Sequence, residues 1–486
     1  MAVIAIPDWA PDNAGVDLAL SDTIENVLPR AKGYGPAPSL AEVSASLPGV
    51  RNGVMVALAD GSPTYFAGTI DALYKYDPVT NGWGEVSNPS TNYSVPDDDY
   101  WSFALFGTNL VATHVNAPLQ VIDIQTGTVF SDLNGSGTED PPRARFADVV
   151  SDVLVLGGLI DFPNRIAWSG LNDITKWDPG VDGSDYQEFP TGGAVNGIAG
   201  GDFGIVFQKT AIRRMIATGD PENLFQFSLA EEGRGAISPW SVVKAGPRIF
   251  FLDSDGFYMF ADGASSPISA QICADWFKRN ADPDYLLRTL GAQDMAGPRV
   301  FWAFKSSTDD RGILDTMLCY DWLLNRWTPI RVGARAWMRG LTLATSIDQM
   351  TMSIDDLTTS LDSSIYSGGN PLLAAFSPDE KLAFLQGGAM PATLDTMDAM
   401  AARPNRAFVR GARLQSDAPA YTIAVGGRET LSGPVAWKPA TGPGRSQFCP
   451  TRCSARYHRA RVVIPAGTVW SYVLGVEPDV VREGAL

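Results

Sequence analysis

One eight-residue pattern occurs twice in this chain of 486 residues, as Tyr76-Asp77-Pro78-Val79-Thr80-Asn81-Gly82-Trp83 and as Tyr320-Asp321-Trp322-Leu323-Leu324-Asn325-Arg326-Trp327. Tyr, Asp, Asn and Trp fall at the same offsets in both. Each copy reads as a hairpin: a strand ends in Tyr, Asp and Asn turn the chain by bonding their side chains to nearby backbone, and Trp opens the returning strand. Weaker versions stand at Ile122-Asp123 with Thr126-Gly127 and over 257–263. Self-similar aromatic hairpins mark blades arranged about an axis. The reading therefore predicts that Tyr76/Trp83 and Tyr320/Trp327 hold equivalent places on two blades, with their rings between neighbouring sheets.

Alternation and β-branched or aromatic enrichment give six blade-sized units, at 65–86, 101–130, 149–177, 195–227, 242–260 and 290–330. The predicted fold is all-β. Residues 1–50, punctuated by Pro7, Pro11, Pro29, Pro36, Pro38 and Pro48, form an extended N-terminal arm. Residues 51–335 form a β-propeller-like body of about six blades, 336–400 a helical connector or insertion, and 401–486 a basic C-terminal β domain, sandwich-like in its alternation. Within the connector, Ile347, Met350, Ile354, Leu357, Leu361 and Ile365 recur at helical steps across 346–365. That segment is either a packed connector or a mobile element reaching into a channel or onto another subunit.

Charge narrows the function. The chain carries a formal −17, which opposes the counterion release by which nucleic-acid readers gain affinity. Nucleic acid near such a chain is passed along, not gripped. The C-terminal part differs: over 401–470 ten Arg and one Lys face only Asp417 and Glu429, so the rest is more acidic than the total. That basic excess is either a nucleic-acid patch or, as the plainer reading, a surface that docks onto an acidic neighbour, with Arg452, Arg456, Arg459 and Arg461 as the interface candidates. No run of about 18 apolar residues suggests a membrane span, and no signal-like segment opens the chain. Four cysteines in so long a chain fit assembly in a reducing cytoplasm.

The motifs that could carry chemistry are weak. With His114 and His458 the only histidines, catalysis through a histidine base is poorly supplied, and no nucleotide-binding or nucleophile-elbow motif occurs. Asp132-Leu133-Asn134-Gly135-Ser136-Gly137 opens like a calcium loop, but the bidentate Glu needed at its twelfth place is Arg143, so a plain turn is expected. Cys449 and Cys453 near His458 resemble metal ligands without a fourth; a zinc site, a local disulfide or thiol pair and ordinary packing all remain open, and the surrounding Arg suggest reactive thiols. No cofactor and no metal is expected. Asp97-Asp98-Asp99 reads as a loop tip. Asp253-Ser254-Asp255-Gly256 is like a turn of glycan-cleaving propellers but lacks the expected Ser or Thr two places before the Asp.

The segment Arg165-Ile166-Ala167-Trp168-Ser169-Gly170-Leu171-Asn172-Asp173-Ile174-Thr175-Lys176-Trp177 resembles the Trp-Ser-x-x-Asn-Asp-x-x-x-Trp signature of the tail nozzle, tail hub and packaged-DNA stabilisation proteins of short-tailed bacteriophages. The blocks Phe250-Phe251-Leu252, Asp255-Gly256-Phe257-Tyr258 with Pro267-Ile268, and Ala455-Arg456-Tyr457-His458-Arg459-Ala460-Arg461-Val462 with Ala466-Gly467 and Trp470 are similar to further blocks of that family, from Asn26 onward. The resemblance implies a non-enzymatic virion protein assembled in the host cytoplasm. It implies a homo-oligomeric ring, a hexamer, in contact with the portal and adaptor ring and with tail fibres or spikes, which conducts genomic DNA during ejection and helps retain it once packaged. The channel or gate candidates are then Asp97, Asp98, Asp99, Ile354, Leu357 and Leu361. A carbohydrate-binding or carbohydrate-cleaving propeller of the phage surface is the competing expectation, with Asp173 and Asp185 beside Trp168 and Trp177 as its best residues.

Overall fold

The structure is a computed structural model that describes residues 3–13, 20–220, 223–343, 369–400 and 406–482. These residues form seven four-stranded antiparallel sheets, two larger sheets and one short parallel pair, Asp8–Trp9 with Leu20–Ser21. Six of the four-stranded sheets follow one another as simple meanders, at 50–85, 102–132, 144–188, 195–232, 243–267 and 290–330. The seventh is assembled from both ends of the body: Ala336–Leu341, Pro371–Phe376 and Lys381–Ala389 are completed by Pro38–Ser46 as the outermost strand. The first strand of each sheet lies innermost, the inner strand of blade 7 lies against that of blade 1, and all seven blades line one central cavity of ≈ 280 Å³. This is a closed, seven-bladed β-propeller.

The six units read from sequence fall on blades 1 to 6, except that the first, 65–86, misses the inner strand Val50–Ala57 of blade 1. The seventh escaped because its strands lie at 38–46 and 336–389, assigned to the arm and to the helical connector. Its pairing, Phe384 with Ala41 and Ala389 with Pro38, joins residues too far apart for periodicity to reveal. Lys381 and Glu42 seal that closure at 2.9 Å, and Ser377 Oγ donates to the same carboxylate at 2.7 Å. The stretch expected to be a helix, 346–365 with Ile354, Leu357 and Leu361, lies outside the described residues. The one α-helix among the described residues is Ala274–Asn280, between blades 5 and 6.

The hairpin repeat holds in atomic detail. Tyr76 pairs with Trp83 and Tyr320 with Trp327 on the third and fourth strands of blades 1 and 6. Each Tyr hydroxyl donates to the turn Asn, at 2.9 Å to Asn81 and 3.0 Å to Asn325, and both asparagines take φ 52°, the left-handed conformation the turn needs. Each Trp ring then meets an aromatic of the preceding blade: Trp83 meets Phe376 of blade 7 and Trp327 meets Phe257 of blade 5. The rings are inter-blade packing, as the repeat predicts.

The C-terminal domain is a β-sandwich of a six-stranded and a five-stranded sheet. The N-terminal arm is extended, and it lies on this same chain: Ile4–Ala5, Val27–Pro29 and Tyr34–Pro36 join the six-stranded sheet, and Ile24–Glu25 joins the five-stranded one. One continuous apolar core runs from Val409, Ile423, Val462 and Trp470 of the sandwich through Ile6, Trp9 and Tyr34 to Phe250, Phe257, Trp302 and Trp327 of blades 5 and 6. The arm thus fastens the sandwich to the propeller.

Candidate functional site at one mouth of the propeller

Asp97, Asp98 and Asp99 lie in the loop that leads from blade 1 into the inner strand of blade 2. The structure sends them in different directions. Asp97 and Asp98 are exposed, whereas Asp99 is 1 % exposed. Asp99 receives the Arg145 Nε at 3.1 Å, and burial pushes its carboxyl up against the pull of that guanidinium. Asp97 pairs with Arg51 on the inner strand of blade 1. Next in the loop, Tyr100 is fully buried, edge-on to Trp240 at 5.5 Å, with its hydroxyl donating to the Arg288 carbonyl at 3.4 Å. Trp101 Nε1 donates to the Thr69 carbonyl at 2.8 Å, and its ring meets His114 at 4.4 Å. Burial depresses His114 to about 4. The loop is tied to blades 1, 3 and 6 and touches the Trp240 turn that precedes the inner strand of blade 5.

This mouth collects arginines that sequence reading missed: Arg51 and Arg145, each the second residue of an inner strand, and Arg288 and Arg335, one or two residues before one. Their signal was an Arg within two residues of the start of the inner strand in blades 1, 3, 6 and 7, too loose to notice without knowing where inner strands begin. Burial, and then the neighbouring Arg288 and Arg335 charges, hold the Arg51 guanidinium below its ordinary range. At the cavity wall, Lys244 Nζ donates to the Gly200 carbonyl, and Asp148 accepts from the Gly200 amide at 2.7 Å. The cavity lining between contains no carboxylate.

The interface arginines divide. Arg461 grips Asp395 through two bonds of 2.7 and 2.8 Å, and Arg459 reaches Asp22 at 2.7 Å. Both are therefore spent inside the chain, joining strands of the sandwich to the arm, which corrects their reading as docking residues; sequence gave no sign that Asp395 and Asp22 stand beside them. Arg452 and Arg456 are exposed. Cys449 and Cys453 are free and buried; burial pushes the Cys449 thiol up to about 11, so the arginines do not activate it. His458 Nε2 faces the Cys453 carbonyl at 3.4 Å, and no metal-ligating cluster occurs among the described residues. Asp132 accepts from Asn88, Thr91 and Gln120 side chains, a hydrogen-bonded turn in place of a calcium loop.

The signature segment is consumed by blade 3. Leu154 donates to Ser169 Oγ at 3.0 Å, Asn172 holds φ 56°, Asp173 accepts the Thr175 amide at 2.9 Å, and Trp177 Nε1 donates to the Ile174 carbonyl at 2.7 Å. Trp168 and Trp177 are buried, Trp168 against Phe225 and Phe227. Neither presents a face on which a sugar could stack.

No family model and no curated protein matches the chain. Among solved structures, it is similar to BamB from Moraxella catarrhalis (10% identity, 79% of this chain and 97% of that one, TM-score 0.38). It is also similar to BBS1N in complex with ARL6DN (11% identity, 73% and 97%, TM-score 0.40) and to YCF48 bound to a D1 peptide (10% identity, 60% and 86%, TM-score 0.35).

Proposed function

We propose that this chain is a non-enzymatic structural subunit of a short-tailed bacteriophage tail, a nozzle or hub that assembles into a ring, conducts DNA during ejection and helps retain it after packaging. The observation that carries the reading is the Arg165–Trp177 segment, whose signature residues are all engaged in holding a blade turn, as a family defined by architecture requires. Three features accompany it. The arm and the sandwich are fused to the propeller through one core, which suits a part that transmits load. The axial cavity has no facing carboxylates for glycoside chemistry. The net charge of −17 lets DNA slide.

The propeller bore itself is not the conduit. A cavity of ≈ 280 Å³ cannot admit a duplex whose major groove alone is about 12 Å wide. DNA would pass through a lumen enclosed between subunits, acidic or neutral on its wall. The Asp97–Asp99 loop is pinned to its own subunit's blades through Arg51, Arg145 and the neighbouring Tyr100, so any part in DNA retention has to come from its exposed tip. Arg452 and Arg456 are the docking cations left to meet carboxylates on a neighbouring subunit or adaptor. The test is a phage lacking the chain: heads should fill and then leak DNA, and the chain supplied in trans should restore retention. Particles that keep their DNA and eject normally without it would overturn the proposal.

A further inference from the structure

Arg288 is 6 % exposed, yet among the described residues no carboxylate pairs with it and no acceptor meets its guanidinium; it rests over the Tyr100 and Tyr285 rings at 5.6 Å. A charge so buried without a counter-charge is costly. Around the same mouth, Arg51 Nε, Arg335 Nε and Trp337 Nε1 are likewise buried without hydrogen-bond partners, as are the Thr289 hydroxyl and the Asn52 Oδ1. Trp337 and Asn52 line the axial cavity, and Trp337 is 3 % exposed. Four of these six atoms are N–H donors and only one can do nothing but accept. The neighbouring carboxylates fall one short: Asp97 pairs with Arg51 from an exposed position, Asp99 with Arg145 and Glu380 with Arg335 at 3.7 Å, which leaves Arg288 without a counter-charge.

We infer that this mouth of the propeller binds a small free oxyanion of the phosphate class, held by Arg288 with Arg51 and Arg335 around it and the Trp337 N–H at the cavity side. An acceptor-only ligand satisfies a donor-dominated cluster where water, half donor, leaves protons unmatched. The axial cavity of ≈ 280 Å³ adjoins this cluster through Trp337 and Asn52. Asp97 then acts as the internal competitor: its exposed carboxylate holds Arg51 when the ligand is absent and yields it when the ligand arrives. The inference stands apart from the tail reading, since any role of the chain would leave the same cluster.

The experiment is titration calorimetry of the full chain with inorganic phosphate at constant ionic strength, beside thermal melts in phosphate and in chloride. Binding with a rise in Tm is expected for the wild type. Arg288→Met, which removes an uncompensated buried charge and so should fold, is expected to bind about tenfold or more weakly. Asp97→Asn is expected to bind several-fold more tightly, because the competing charge is gone. Absence of phosphate binding by the wild type, undiminished binding by Arg288→Met, or weaker binding by Asp97→Asn would each overturn the inference. The Asp97 variant keeps the test decisive if the Arg288 variant misfolds.

Discussion

Truncating Trp327 to Ala separates a true blade repeat from a coincidence of sequence, because its twin Trp83 sits in the same hairpin with a different amount of burial. Trp327 is 1 % exposed, stacks on Tyr320 at 4.6 Å and on Trp302 at 5.7 Å, meets Phe257 at 5.5 Å, and donates its Nε1 proton to the Ile268 carbonyl at 2.9 Å. Removing it opens a cavity in the core that joins blades 5 and 6 to the sandwich and leaves the Ile268 carbonyl without its donor. The expected loss is about 3–5 kcal/mol, near the upper end because of that carbonyl. Trp83 is half-buried and packs on Tyr76 and Phe376, so Trp83→Ala should cost roughly half as much. Guanidinium unfolding followed by circular dichroism gives both values. Equal losses, or less than about 1 kcal/mol for Trp327→Ala, would refute the packing account.

Three further outcomes follow from the geometry. Arg461→Ala strands Asp395, which is fully buried, and should destabilise the sandwich by about 3–5 kcal/mol, toward the lower end because Arg459 stands 3.8 Å away; chemical denaturation reads it. His114, depressed to about 4 by burial, is neutral in the fold while the unfolded chain takes up its proton below about 6.5, so stability should fall by about 3 kcal/mol between these pH values and His114→Gln should remove that component from the pH profile. Charge reversal at exposed Arg452 and Arg456 should leave the melting temperature unchanged and weaken assembly most at low salt, as light scattering would show.

What could be read from the sequence was what is local. The Tyr-Asp-Asn-Trp hairpins carry their own turn chemistry, so their pairing and their inter-blade rings were visible without the fold. Blade 7 was not, because its outer strand at 38–46 and its other strands at 336–389 are recognisable as one sheet only once the circle closes. The mouth cluster failed for the same reason: Arg51, Arg145, Arg288 and Arg335 are isolated in sequence and are gathered only by the ring of inner strands. The basic C-terminal segment was legible as a charge excess, but Arg459 and Arg461 were misassigned because their carboxylates, Asp22 and Asp395, come from other strands of the sandwich and its arm.

The most direct test of the tail reading is native mass measurement of the chain, alone and mixed with portal and adaptor rings from a short-tailed phage. The account predicts a single closed homomeric ring, about six copies, whose lumen lies between propellers and carries few exposed Lys or Arg. A chain that stays monomeric under both conditions and binds host polysaccharide would contradict it.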